Sequence, residues 1–305
     1  MSNWVIEANQ FQKNYRGVIA VDNISFQVSR GEIFGLLGPN GAGKTSTLEC
    51  LEGLRTPDGG SLRVCGVDPC RDPAKLRNLI GVQLQNSGLP ESITPYEAIK
   101  FFCAYHRIAP RFDLLERLGI QAKQDTQFYE LSAGQQRRLS LALAVAHNPQ
   151  ILFLDEPTAG LDVASRVELH KLMRELKSEG TTVVLATHDM AEAESMSDRV
   201  AIMLNGKIAT IGTPLEITAS GAGLTKISVK TQNNSVSNQP VQFPSVSQRV
   251  TKEDYEIFFS TNITATLIAL VAHIEEQRDQ LIDLRVERPS LEDRFLEITN
   301  AGDTQ

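Results

Sequence analysis

The sequence predicts an α/β fold built on a buried, mostly parallel core sheet. Short apolar runs, "EIFGLLG" (32–38), "ILFLD" (151–155) and "TTVVLATH" (181–188), alternate with segments of helical periodicity. Runs that are apolar at every position suit strands covered on both faces, which is how parallel sheets are built. These runs end on glycine, carboxylate or imidazole, at the strand ends where such folds place their ligand chemistry.

Each element has a local reason. "KTSTLECLEGL" (44–54) follows the first run as a helix, and "SITPYEAIKFF" (92–102) reads as a loop entering another. "LSAGQ" (131–135) precedes an apolar helix-like run, with Ser132 placed as its capping hydroxyl. "RVELHKLMRELKSEG" (166–180) is a helix that stops at Gly180. In "RVAIMLNGKIATIG" (199–212), Asn205-Gly206 between alternating apolar residues predicts a hairpin. "LEITASGAGL" (215–224) changes composition and reads as a link. Beyond it, "KISVK", "QRVTK", "YEIFFS" and "LIDLRVE" predict strands and "ITATLIALVAHIEEQ" an amphipathic helix. "SLEDRFLEIT" predicts a short helix opened by Ser290. The expected domains are therefore 1–220 and a small α+β domain at 225–305.

Composition narrows the function. The chain has 305 residues, 41% of them hydrophobic and 22% charged, and a net charge of −7 that argues against a general nucleic-acid binder. The four cysteines, Cys50, Cys65, Cys70 and Cys103, form no C-x-x-C pair and no zinc pattern, as expected of reduced thiols in a cytoplasmic protein. "MSNWVIEANQ" lacks the basic and apolar regions of a signal peptide, and no run approaches 18 apolar residues. Work at a membrane would thus need another chain to cross it.

The strongest chemical signal is "GPNGAGKT" (38–45), which fits G-x-x-x-x-G-K-[ST] between a strand and a helix. Gly41 and Gly43 let backbone N–H groups turn toward phosphate oxygens. Lys44 can reach β- and γ-phosphates, and the Thr45 hydroxyl can hold Mg²⁺. "ILFLDEP" adds paired carboxylates at a strand end: Asp155 beside Thr45, sharing Mg²⁺ through water, and Glu156 placed to polarise an attacking water. A helix N-terminus at Ser132 offers a second anion site.

In this order the phosphate loop, "LSAGQ", "FLDEP", "AGLD" and "THD" resemble the motifs of ATP-binding cassette (ABC) ATPases over residues 1–220. The resemblance implies an ABC-type P-loop ATPase domain, with an antiparallel β part and a helical signature-motif subdomain beside the core sheet, hydrolysing ATP with Mg²⁺. It implies that Gly38, Pro39, Asn40, Gly41, Ala42, Gly43, Lys44, Thr45 and Ser46 hold ATP and that Tyr15 stacks on its adenine. Gln85 would join the Mg²⁺ and water shell, in preference to Gln83, and His188 would contact the γ-phosphate. Leu131, Ser132, Ala133, Gly134 and Gln135 would cap the ATP of a partner cassette, and Asp162 would connect the two sites.

One set of motifs therefore implies a homodimer or pairing with another cassette. Ala133, Thr45-Ser46 and "AGLD" depart from the commoner forms without removing a charge, a hydroxyl or the catalytic carboxylate. His106, His147, His170 and His273 match no motif.

The tail "VERPSLEDRFLEIT" (286–299) resembles cassettes serving ABC-2-type exporters, implying a separate transmembrane permease met by the segment after Gln85. Such a chain would be cytoplasmic and peripheral on the membrane's cytoplasmic face. The alternatives are a soluble ABC ATPase, an importer ATPase and a non-hydrolysing regulatory subunit. The single cassette, the lack of heptads and the complete motif set weigh against the first and last.

Overall fold

Residues apolar on every side fold where both faces of a strand can be covered. In the computed structural model, which describes residues 3–84, 88–220, 224–236, 241–287 and 289–302, this decides the architecture. Two long strands, β1 (Trp4–Tyr15) and β2 (Val18–Ser29), open the chain, followed by β3 (Ile33–Leu37), helix α1 (Lys44–Leu51) and β4 (Gly59–Val64). Helix α2 (Pro73–Arg77) leads into β5 (Ile80–Gln83), and helices α3 (Pro95–Tyr105), α4 (Asp113–Arg117) and α5 (Ala133–Val145) follow. Then come β6 (Ile151–Asp155), α6 (Val163–Ser178), β7 (Thr182–Thr187), α7 (Met190–Met196), β8 (Arg199–Leu204) and β9 (Lys207–Gly212).

The core sheet has the order β5-β6-β7-β3-β8-β9. Its first five strands are parallel, and β9 returns antiparallel to β8. That return is the hairpin expected at Asn205-Gly206, whose φ values of 48° and 78° are those of a type I′ turn. Every residue of β3, β6 and β7 is buried. Alternate residues feed opposite cores. Ile33, Leu152, Leu154, Val183 and Leu185 join a cluster with residues of α3 to α6. Phe34, Leu36, Phe153, Val184 and Ala186 join a second cluster with residues of α1, β1 and β2.

A separate antiparallel sheet, β2-β1-β4, is the antiparallel part implied by the family resemblance. Its strands went unassigned in the sequence, although "ISFQVS" (24–29) of β2 alternates and buries Ile24, Phe26 and Val28. The β1–β2 pairing is interrupted by register shifts, and Gln10 takes a positive φ of 47° within β1, so alternation is lost where the chain bulges.

The chain divides into two compact units after Pro214. Helix α8 (Pro214–Ala219) occupies part of the stretch read as a link. The second unit contains β10 (Thr225–Thr231), β11 (Val246–Lys252), β12 (Tyr255–Ser260), helix α9 (Ile263–Glu276), β13 (Leu281–Glu287) and helix α10 (Leu291–Gly302). Its antiparallel sheet has the order β11-β12-β10-β13. Ile227, Val229, Phe258, Leu270 and Ile274 form its core. Among the described residues, no helix is long and apolar enough to cross a membrane.

Helix α5 reaches the sheet through Gly81, where a Cβ would lie 2.1 Å from the Ala144 carbonyl oxygen. Gly81→Ala is therefore expected to cost about 1–3 kcal/mol, read as a lowered urea or thermal midpoint. An unchanged midpoint would mean that α5 can back away from β5 freely.

Candidate functional site

The site forms where β3, β6 and β7 end side by side. Because these neighbours run parallel, Leu37 pairs with Thr187 and Asp155 with Ala186, and the residues that follow leave the sheet at one edge. Residues 38–43 turn from β3 into α1. Gly43, at φ 102°, is the N-cap of that helix, and a Cβ there would lie 2.3 Å from the Ala20 carbonyl oxygen. A Cβ on Gly38 would lie 2.3 Å from the Met203 carbonyl oxygen. The loop thus fits only without those side chains, and the Gly206 N–H donates to the Ala42 carbonyl at 3.2 Å.

Lys44 is buried, and its Nζ donates to the Gly38 and Pro39 carbonyls at 2.7 and 3.1 Å. Burial lowers its pKa, against the opposing pull of Glu156 and Asp155. Thr45 Oγ1 donates to Asp155 Oδ2 at 3.0 Å. Asp155 Oδ1 is buried without a hydrogen-bond partner. Burial raises the pKa of that carboxyl, while the Thr45 hydroxyl draws it down. A hydroxyl and an unpartnered carboxylate oxygen are hard oxygen donors of the kind Mg²⁺ takes, together with phosphate oxygens and water.

Two consecutive strand residues would normally point to opposite faces. Glu156 follows the last residue of β6 and leaves the strand with a left-handed backbone, φ 49°. Its N–H donates to the Ala186 carbonyl at 2.9 Å, which holds the turn. A left-handed non-glycine residue costs about 1–2 kcal/mol, an outlier of the kind that gathers at functional sites. The turn brings Glu156 Oε1 to 3.9 Å from Lys44 Nζ and Oε2 to 2.8 Å from His188 Nδ1. One carboxylate therefore joins the phosphate-loop lysine to the imidazole that follows β7.

Ser132 caps α5 in a capping box: Gln135 N–H donates to Ser132 Oγ at 3.3 Å, and Ser132 N–H to Gln135 Oε1 at 3.0 Å. Leu131 and Gly134 are buried, whereas Ser132 and Ala133 face solvent. A Cβ on Gly134 would lie 2.9 Å from Ser165 Oγ. That hydroxyl donates to Asp162 Oδ2 at 2.7 Å, and Asp162 Oδ1 caps α6 through the Ser165 N–H at 2.9 Å. "LSAGQ" and Asp162 are thus joined through Gly134 and Ser165. The capping bonds of Ser132 and Gln135 run to each other rather than to the phosphate loop.

Tyr15 ends β1, half-buried, with Lys13 Nζ 5.1 Å from its ring centroid. Gln85 lies outside the described residues. Gln83, in β5, is buried with neither amide atom hydrogen-bonded. Among the histidines without a motif, His170 Nε2 meets Glu192 Oε1 at 3.0 Å, and His106 stacks on His147 with centroids 4.0 Å apart. Burial, then His106, pushes His147 down to about 4.

Two charged residues escaped the motif reading. Arg137, half-buried on α5, donates to the Leu84 carbonyl at 3.2 Å and feels the carboxylates of Asp155 and Glu156. Glu52 caps the C-terminus of α1, buried, with Oε2 unpartnered. Burial first, then the nearby Asp155, pushes its carboxyl up to about 8. A carboxylate inside the apolar stretch "LECLEGL" was its visible signal.

The ABC transporter family model matches residues 21–159. Nod factor export ATP-binding protein I of Paraburkholderia xenovorans (strain LB400) is 37% identical over 235 residues, covering 75% of this chain and 77% of the relative. Daunorubicin resistance ATP-binding protein DrrA3 of Streptomyces coeruleorubidus is 31% identical over 307 residues, covering 98% of this chain and 97% of the relative. The dimeric structure of MJ0796, a bacterial ABC transporter cassette, superposes with a TM-score of 0.64 at 26% identity, covering 68% of this chain and 98% of that one.

The raised Glu52 carboxyl has a consequence for stability. Between its ordinary value of 4.5 and about 8, the native state holds a proton that the unfolded chain has lost. Stability therefore falls as pH rises through that window, and the full burial cost applies above it. Glu52→Gln is expected to flatten the fall in urea midpoint between about pH 5 and about pH 9. Equal falls in both proteins would show that Glu52 is ionised in the native state.

Proposed function

The chain belongs to the ABC transporter family of ATP-binding proteins, and from that premise we propose how its residues work and what they serve. It is an ATPase, the ATP-binding subunit of a transporter whose cassettes pair and act with a membrane permease. The names of its relatives, a Nod factor export protein and a daunorubicin resistance protein, support an exporter. The tail "VERPSLEDRFLEIT" supports a permease of the ABC-2 type, which would hold the chain on the cytoplasmic face of the membrane. No nucleic-acid partner is proposed.

The observation that carries the site reading is the Glu156 carboxylate, which stands between Lys44 and His188 beside the Thr45–Asp155 pair. Backbone N–H groups of residues 40–46, at the loop and the start of α1, take the phosphates, and Tyr15 stacks on the adenine. Lys44 exchanges its carbonyl partners for β- and γ-phosphate oxygens. Glu156 accepts a hydrogen bond from the attacking water and draws its proton as oxygen bonds to the γ-phosphorus. The bond to the β-phosphate oxygen then breaks, releasing ADP and phosphate. His188 orients Glu156 and the γ-phosphate. Thr45 and Asp155, with Gln85, would hold Mg²⁺, which supplies charge for the phosphate oxygens when bound.

Ser132 and Gly134 meet the γ-phosphate of the partner cassette. ATP therefore favours the closed pair because its γ-phosphate is contacted from both sides, and hydrolysis removes that preference. An identical partner gives two equivalent sites.

Glu156→Gln is expected to lower steady-state ATP hydrolysis by about 10²–10⁴-fold while ATP binding persists. Full turnover in that variant would show that another group handles the water. The same variant, tagged and recovered with ATP from detergent-solubilised native membranes, is expected to retain one polytopic membrane protein, identified by mass spectrometry. Recovery of ribosomal or DNA-bound proteins alone would sink the transporter reading and leave the ATPase intact.

A further inference from the structure

The four-stranded sheet of the second unit leaves its apolar face unfinished at one edge. Strand β13 pairs with β10 alone among the described residues, with Val286 opposite Ile227 and Leu284 opposite Val229. Antiparallel partners point to the same face, so Leu284 and Val286 continue the face on which Ile227 and Val229 are buried, and a register shift below Asp283 sets Leu281 opposite Thr231. Yet Leu281, Leu284 and Val286 remain 38%, 37% and 44% exposed. The buried residues of α9, Thr266, Leu270 and Ile274, cover the inner strands and leave the edge open.

The opposite edge strand is different in kind. β11 reads "VSQRVTK", polar at most positions, as edges that avoid pairing are.

Within β13 the five residues "IDLRV" (282–286) are self-complementary about Leu284, whereas the terminal Leu281 and Glu287 are not. Pairing two copies antiparallel about that residue sets Ile282 against the partner's Val286 and Leu284 against its own equivalent. On the other face, Asp283 meets the partner's Arg285 and Arg285 the partner's Asp283. Centring on Asp283 or Arg285 would oppose like charges, and a one-residue slip would exchange apolar and polar faces. The charges do not block the edge either. Asp283 Oδ2 accepts from Arg285 Nε at 2.8 Å and Tyr255 Oη at 2.7 Å, so all three lie together, clear of the apolar stripe.

We propose that β13 is a homotypic interface, where a second copy of this chain adds its own β13 antiparallel about Leu284 to make one eight-stranded sheet. The occupant is a second copy because residues 282–286 complement themselves, Asp283 with Arg285 and Ile282 with Val286. The contact uses no nucleotide. Given that cassettes work as pairs, it would keep two copies together while their ATP sites are open.

The test uses the full chain carrying Cys70→Ser, which removes the exposed native thiol. Leu284→Cys puts two thiols face to face on the proposed axis, and mild oxidation is expected to give a disulfide-linked dimer, with or without ATP. Asp283→Cys alone lies off the axis and is expected to link poorly, whereas mixed with Arg285→Cys it links well. Failure of Leu284→Cys to link, or linking no better than exposed Ile268→Cys on α9, would overturn the interface. Linking that appeared only with ATP in Glu156→Gln would overturn its independence from nucleotide.

A second measurement needs no cysteine. Arg285→Glu is expected to weaken dimerisation several-fold in analytical ultracentrifugation, and Asp283→Arg with Arg285→Glu to restore it. No change in the first, or no rescue in the second, refutes the charge pairing. Adding Lys44→Ala separates this inference from the ATPase reading: a linked but inactive dimer supports both, and a linked, fully active one refutes only the site assignment.

Discussion

Parallel pairing of three neighbouring strands is the constraint from which the site follows. Strands β6, β7 and β3 are adjacent and codirectional, so the residues after Leu37, Asp155 and Thr187 emerge at one edge. Adjacent strands lie about 4.8 Å apart, and a loop, a carboxylate pair and an imidazole are thereby brought within hydrogen-bonding reach. The strands can be apolar throughout only because helices and a second sheet cover both faces. Chemistry is thus confined to their ends, and packing is left to their middles.

The residues at that edge are tuned by what surrounds them. Burial lowers the pKa of Lys44 and raises that of Asp155, yet each opposes the tendency in the other. Asp155 and Glu156 bring negative charge to Lys44 and half-buried Arg137, while burial and the nearby Asp155 keep Glu52 protonated. Such a balance suits a site whose ligands bring both anionic phosphate and a divalent cation.

Much of this was legible in the sequence because period and punctuation agree there. The runs 151–155 and 281–287 and the Asn205-Gly206 turn fall where apolar pattern and turn chemistry predict. The left-handed backbone of Glu156 was not legible, since nothing in "LDEP" announces a positive φ at a glutamate. The strands β1 and β2 were missed because bulges interrupt their pairing and leave only "ISFQVS" (24–29) with unbroken alternation. Glu52 and Arg137 were missed because burial is a property of the neighbours, and no local spacing encodes it. The link between Gly134 and Ser165 joins residues 31 positions apart, a distance across which sequence pattern is silent.

The phosphate loop is held from several directions before any phosphate arrives: Gly38 under the Met203 carbonyl, Gly43 against Ala20, and Ala42 accepting from the Gly206 N–H, itself next in a chain to Asp22. A loop so braced loses little conformational entropy when it is filled. Capture of the nucleotide should then run at the pace of diffusive encounter rather than of loop rearrangement. A cradle that barely changes shape on filling also transmits little by itself. News that it is full must be carried by the nucleotide's own outward face, where another surface can touch it.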